Sequence, residues 1–242
     1  MKRLIYRILL LLLCVVGILP LSGQSDKLSA ELLEARKQMV YSHHEEAYVA
    51  GILTGKQFTD YNNKFKQFFL GKYTSQGSLV YDGVLFEDIE LQYNIFTQDV
   101  IALMETHRSE RYVEVTPDKV SAFSVYEHDF VHLAGDSVMA PGIYELAYGG
   151  VNSSVFIKRT SISNKLVDGN QINIEYEPVS KYFVRNQFGT FRVSSKKKLI
   201  QAYQKSPRLI RIIKTNRIKF SKKKIEQGLV EAVSKLEEIE NQ

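Results

Sequence analysis

The chain is 242 residues long, 44% hydrophobic and 24% charged, with a formal net charge of +5 and one cysteine. That length and apolar content supply a full core and exclude intrinsic disorder over most of the chain. One cysteine excludes an internal disulfide and a multi-cysteine zinc site, while 14 tyrosines and 13 phenylalanines without tryptophan favour pleated strands, whose surfaces aromatic rings fit.

Lys2, Arg3 and Arg7 open the chain, an apolar run of 12 residues covers 8–19, and Pro20, Ser22 and Gly23 follow. Charge, short apolar run and small residues in that order describe a secretory signal peptide, residues 1–23, cleaved after Gly23. The run falls short of the roughly 20 apolar residues that span a bilayer. An uncleaved N-terminal anchor is the alternative. Cys14 lies inside the run behind Leu13, where a lipoprotein signal needs a small residue, so lipidation is not expected. The mature chain then holds no cysteine, which suits an oxidising compartment.

Residues 25–47 predict a helix, with Leu28, Leu32, Leu33, Met39 and Val40 on one stripe. The texture then turns to period two. Strands are predicted over 48–55, 77–83 with the turn dipeptide Asp82-Gly83, 86–93, 100–104, 111–115, 120–126, 130–133, 142–148, 155–159, 172–176, 181–185 and 190–193. In 86–93, Ile89, Leu91 and Tyr93 alternate with Glu90 and Gln92, the mark of an antiparallel strand with one solvated face. Short strands at this spacing indicate an antiparallel meander rather than βαβ units.

From Ser195 the period becomes helical. Ser195 caps a helix over 196–204, Ser206-Pro207 opens a second, and Ser221 caps a third with Ile225, Leu229, Val230, Val233, Leu236 and Ile239 on its apolar stripe. Lysines at the start of that third helix oppose its dipole.

Charge divides at the same place. Without the signal the chain has 29 bases and 27 acids. Residues 196–242 hold thirteen bases and five acids, +8, whereas 24–195 hold 16 bases and 22 acids, −6. No carboxylate occurs within 196–224. The predicted organisation is a signal, 1–23; an antiparallel β body with an N-terminal helix, 24–195; and a basic helical tail, 196–242. Candidate anion-binding residues are Lys196, Lys197, Lys198, Arg208, Arg211, Lys214, Arg217, Lys219, Lys222, Lys223 and Lys224. Their charge has two outlets: an external anion, or the chain's own acidic body.

Chemistry is less legible. His128 and His132 share one face of a strand about 13 Å apart, too far for one ion unless the segment bends. His43-His44-Glu45-Glu46 is not the metalloprotease order, and no nucleophile elbow, P-loop or dinucleotide fingerprint occurs. No catalytic residue, metal ligand or cofactor is therefore assigned.

The stretch Tyr81-Asp-Gly-Val-Leu-Phe-Glu-Asp-Ile-Glu-Leu-Gln-Tyr-Asn-Ile-Phe96 resembles a block that recurs in uncharacterised exported envelope proteins of Bacteroidota-type bacteria. Val193-Ser-Ser-Lys-Lys-Lys-Leu199, Ile213-Lys-Thr-Asn-Arg-Ile-Lys-Phe-Ser-Lys222 and the final amphipathic helix are similar to theirs, as are 142–148 and 154–159. Asn94 departs from the group, whose turn more often carries Asp. The resemblance covers 48–240 and implies export into the envelope of a two-membrane bacterium; it carries no reaction and no catalytic residues.

The expectation is a mainly β protein: a curved antiparallel meander with an N-terminal helix and a basic C-terminal helical tail. It is expected in the periplasm or at the outer-membrane periphery as a non-enzymatic binding or assembly component. Its expected partner is an envelope protein or an anionic surface of lipid or lipopolysaccharide, with no nucleic acid and no spanning segment in the mature chain. One alternative is a periplasmic carrier of a hydrophobic ligand or lipoprotein, which requires an open pocket lined by Tyr and Phe. The other is a hydrolase, which requires His107, His128 or His132 in a cleft with a carboxylate and an exposed hydroxyl.

Overall fold

The computed structural model describes residues 65–71, 74–106, 109–168 and 171–240, all within one compact unit, His44–Gln242. The signal, the helix over 25–47, the strand over 48–55, Cys14 and His107 lie outside them. A 3-10 turn, Phe65–Gln67, precedes ten strands: β1 Ser75–Tyr81, β2 Val84–Asn94, β3 Asp99–Thr106, β4 Ser109–Glu114, β5 Val120–Val125, β6 His128–Leu133, β7 Gly142–Gly149, β8 Ser154–Asp168, β9 Gln171–Asn186 and β10 Gly189–Arg192. Three helices follow: α1 Lys196–Ala202, α2 Pro207–Thr215 and α3 Ile225–Glu240.

Every strand pair is antiparallel, in the spatial order β10-β9-β8-β7-β6-β5-β1-β2-β3-β4. The meander is therefore broken once. After β4 the chain returns across the hairpins and β5 pairs with β1, not with β4. Two further expectations are corrected. Residues 172–176 and 181–185 belong to one strand, β9, which runs through Pro178. The proline is tolerated because Ser161 opposite it turns its N–H away from β9, and β10 pairs only with 183–186, so the missing donor faces an edge that no described strand pairs. The third helix starts at Ile225, because Ser221 instead accepts the Lys224 N–H across a turn at 2.8 Å. Lys222, Lys223 and Lys224 thus precede the helix.

The sheet curls. β2 and β6 are three strand spacings apart, about 14 Å if the sheet were flat, yet the rings of Tyr93 and Phe130 lie 5.1 Å apart. Residues 67–69 plug the curl: Phe69 N–H donates to Tyr93 O and Ile95 N–H to Gln67 O, both at 2.8 Å. Phe69, Tyr93, Phe123 and Phe130 pack edge-on or stacked at 4.8–5.2 Å and fill the concave side. Where β7 ends, the turn after β2 takes its place beside β8, with Ser161 N–H on Ile95 O at 3.2 Å and Gln98 Nε2 on Arg159 O at 2.9 Å.

The helices bury their apolar stripes against the other end of the same sheet. Leu199, Leu209, Ile213, Leu229, Val233 and Leu236 join Val155, Val184 and Val193 in one core. Ser195 and Ser206 cap α1 and α2 as their spacing predicts. Among the described residues, no helix is long and apolar enough to cross a membrane.

Candidate functional site

Pairing register sets Leu79, Phe123, Phe130, Glu145, Ile157 and Tyr182 opposite one another across six neighbouring strands. Five of the six are apolar or aromatic. The sixth, Glu145, is a carboxylate only 2% exposed. Burying an unpaired charge there would cost several kcal/mol, and two neighbours prevent that. Arg159 Nε donates to Glu145 Oε2 at 2.5 Å, and His128 Nδ1 lies 2.7 Å from Glu145 Oε1. A carboxylate only accepts, so Nδ1 carries the proton, and Nε2 has no hydrogen-bond partner among the described residues.

Arg159 completes its fork on Glu226 of α3, with Nη1 and Nη2 donating to the two carboxylate oxygens at 2.9 and 2.8 Å, and Nη1 also donates to Ser180 Oγ at 3.0 Å. Burial opposes the charge on Arg159, but its hydrogen bonds to both carboxylates more than offset that, so its pKa is raised. The chain His128–Glu145–Arg159–Glu226 thus ties β6, β7, β8 and α3 together.

This chain borders a cleft of about 750 Å³ between the sheet and α3, lined by His128, Glu145 and Glu226 with Glu127, Asp129, Glu231 and Lys223. A histidine oriented by a buried carboxylate is the geometry of a general base. Among the described residues, no Ser, Thr or Tyr hydroxyl lines the cleft. His132 is elsewhere in its bonding: its Nδ1 meets Val120 O at 3.1 Å. Among the described residues, no three His, Cys, Asp or Glu side chains form a group able to hold a metal.

The carrier alternative meets a filled concave face. Beside the plug lies a groove of about 370 Å³ lined by Phe68, Phe69, Leu70, Ile95, Pro178 and Val179, with no tyrosine among the described residues that line it.

The basic residues are distributed differently. All twelve bases of 196–224 are exposed, and none forms an ion pair with a described residue. Tail and sheet are joined by the tail's acids instead. Glu226 binds Arg159, and Glu237, 3% exposed, accepts Asn152 N–H at 2.7 Å and the Tyr148 hydroxyl at 3.4 Å. On α2, Leu209, Ile212 and Ile213 point into the core while Arg208, Arg211 and Lys214 hold the outer arc. Lys196, Lys197 and Lys198 occupy the exposed first turn of α1. Arg217, Lys219 and Lys224 converge on a small pocket of about 200 Å³. Lys223 separates from the others and lines the acidic cleft, and Lys222 stands exposed in the preceding turn.

Sequence reading missed Glu145 and Arg159. The signal was present: Glu145 is in phase with Ile143, and Arg159 with Val155 and Ile157, so each places a charge on the apolar face of its strand. Neither a protein-family model, nor a curated protein, nor a solved structure matches this chain.

Proposed function

We propose that this chain is a non-enzymatic binding or assembly component of a bacterial cell envelope, acting through the outward basic surface of its helical tail on an anionic lipid, lipopolysaccharide or acidic protein partner. The observation that carries this reading is that the twelve bases of 196–224 are exposed and form no ion pair with a described residue. A tail held to the body by its charge would set lysines and arginines against carboxylates. Here apolar packing, two glutamates and the Tyr203–Ser153 and Asn186–Ala202 hydrogen bonds hold it, leaving the bases available to attract polyanions. The apolar run at 8–19 and the resemblance to exported envelope proteins support a location in the periplasm or at the outer-membrane periphery.

Removing the tail would uncover Val155, Val184 and Tyr182 and unfold the test object. Neutralising its outer charges avoids this. Vesicle co-sedimentation as salt rises compares the mature chain with a variant carrying K196Q, K197Q, K198Q, R208Q, R211Q and K214Q. Salt-sensitive binding to anionic vesicles, lost in the variant, is expected. Equal binding by the two proteins overturns the reading.

A second reading, hydrolysis with water activated at His128 Nε2, is favoured by the Glu145–His128 contact at the cleft. It predicts turnover on a hydrolase substrate panel that H128N abolishes without lowering the melting temperature.

A further inference from the structure

α2 ends in a turn that aims side chains at the start of α3. Asn216 caps the C-terminus of the helix. Arg217 then takes a left-handed backbone, φ 52°, with its N–H on Lys214 O at 3.2 Å, while Ile218 N–H bonds Ile213 O at 3.1 Å. These two bonds form a Schellman motif, whose left-handed position is usually glycine. Ile218 is buried at 8% and anchors the turn, so its neighbours Arg217 and Lys219 point outward on either side of it. The segment lies directly against α3: a Cβ on Gly228 would come within 2.4 Å of Lys219 O. Lys224, in the turn before α3, closes the third side.

The resulting pocket of about 200 Å³ is lined by Arg217, Lys219 and Lys224, with Ile218, Gln227, Gly228 and Glu231 completing it. None of the three cations has a carboxylate partner among the described residues, Glu231 included. Its size is below the roughly 300–1,000 Å³ of pockets that enclose whole small molecules, and so suits a single chemical group. Three cations against one carboxylate leave +2, the complement of a phosphomonoester, which carries about −1.5 to −2 near neutral pH. A guanidinium fork, two ammonium groups and the Gln227 amide supply the donors that such an oxygen cluster accepts.

We infer that Arg217, Lys219 and Lys224 form a receptor for one phosphomonoester group, presented by a lipid or lipopolysaccharide headgroup or by a soluble phosphate. This rests on the reading of the tail as an anion-binding surface and names the chemistry it selects. The outer arc of α2 attracts anions generally; the pocket discriminates among them. A phosphodiester, with one negative charge, satisfies half of the pocket's charge and is bound less well.

The test uses the mature chain and two kinds of variant. R217G removes the guanidinium at a position where glycine is the favoured residue, so its melting temperature is expected to be unchanged or raised; K219Q/K224Q removes the ammonium groups. K119Q/R192Q is the control, equal in charge change to K219Q/K224Q but placed on exposed bases outside the tail. Calorimetric titration with inorganic phosphate is expected to show binding that R217G and K219Q/K224Q weaken by about tenfold or more while the control retains it. Phosphatidylcholine vesicles carrying phosphatidic acid are expected to bind more tightly than those carrying an equal mole fraction of phosphatidylglycerol, a preference lost in R217G. Phosphate binding at the pocket without a lipid preference upholds the receptor and assigns it a soluble source. Wild-type behaviour of R217G and K219Q/K224Q, or equal losses in pocket and control variants, overturns the pocket and leaves the general anion-binding surface standing. If the wild type binds neither type of anionic vesicle at low salt, the surface reading fails, and the phosphate titration decides the pocket alone.

Discussion

Glu226 on α3 meets Arg159 on β8 end to end, its two carboxylate oxygens 2.9 and 2.8 Å from the two terminal guanidinium nitrogens. The pair is the polar link between the helical tail and the sheet at the point where Glu145 lies buried. It is asymmetric. Glu226 is partly open to water, and Arg159 is the partner that Glu145 depends on.

The asymmetry predicts unequal costs. R159M leaves the Glu145 charge buried with His128 alone and should lower the unfolding free energy by about 3–5 kcal/mol. E226Q keeps that inner contact and should cost about 1 kcal/mol. The double variant E145Q/R159M should recover part of what R159M loses, because the stranded charge is gone. Urea unfolding of the three variants measures this; if the double variant is no more stable than R159M, Glu145 is not the source of the cost.

Two glycines separate close approach from turn geometry. A Cβ on Gly77 in β1 would stand 1.9 Å from Ser124 O of the neighbouring strand, whereas one on Gly83 would meet nothing within 4 Å, although its φ is +76°. G77A must part β1 from β5 beside the register shift of β1 and should cost about 3 kcal/mol or more. G83A pays only the left-handed backbone term, about 1–2 kcal/mol. Denaturant midpoints rank the two, and the opposite order would mean that β1 and β5 separate without strain.

Asp136 staples the loop between β6 and β7 to β9 and β10. It accepts the backbone N–H groups of Met139 and Val138 and the Thr190 hydroxyl, each at 2.8 Å, and Arg185 at 3.2 Å. The backbone donors first, then Thr190 and Arg185, hold its pKa far below the usual carboxylate range. A depressed folded-state pKa means stabilisation that is present above the unfolded value, about 3.9, and lost as pH falls through the folded one. D136N should therefore be less stable than wild type at pH 7 and should close the gap below about pH 4. A gap that stays constant down to pH 2 would remove the carboxylate from the account of acid sensitivity.

The strands were legible because alternation is local, and Ser195 and Ser206 were legible as caps for the same reason. The return of β5 to β1 was not. Residues 111–115 and 120–126 alternate equally well, and which of them lies beside 75–81 depends on pairing between distant segments, where Phe123 pairs with Leu79 on the adjacent strand. Pro178 reads as a strand break, yet it is harmless on an edge that no described strand pairs. The basic tail announced its charge in composition. That its acids, Glu226 and Glu237, do the docking follows only from where α3 lies on the sheet.

Lys158 gives the last prediction. Its ammonium group lies over the Tyr144 ring at 4.8 Å and donates to Ile143 O at 2.9 Å, and Lys181 stands opposite it across β8 and β9. Burial first, and the Lys181 charge second, lower its pKa to about 8 from the usual 10.5. Below pH 8 both folded and unfolded chains carry the proton, and the folded state bears the full penalty of a confined charge. Between about pH 8 and 10 the unfolded chain binds more protons than the folded one, so the stability contribution rises with pH. Lys158 is only half-buried, so solvent screening reduces the gain to the order of 1 kcal/mol. Above pH 10 the unfolded chain's tyrosines ionise, while burial first and the Asp99 charge second raise the pKa of Tyr93 and keep it protonated in the fold, which turns the trend downward. Wild-type stability should thus pass through a shallow maximum between pH 8 and 10, and K158M should lack the rising limb while keeping the fall. Urea midpoints at half-unit steps measure both, and a rising limb that survives in K158M would assign it to another group.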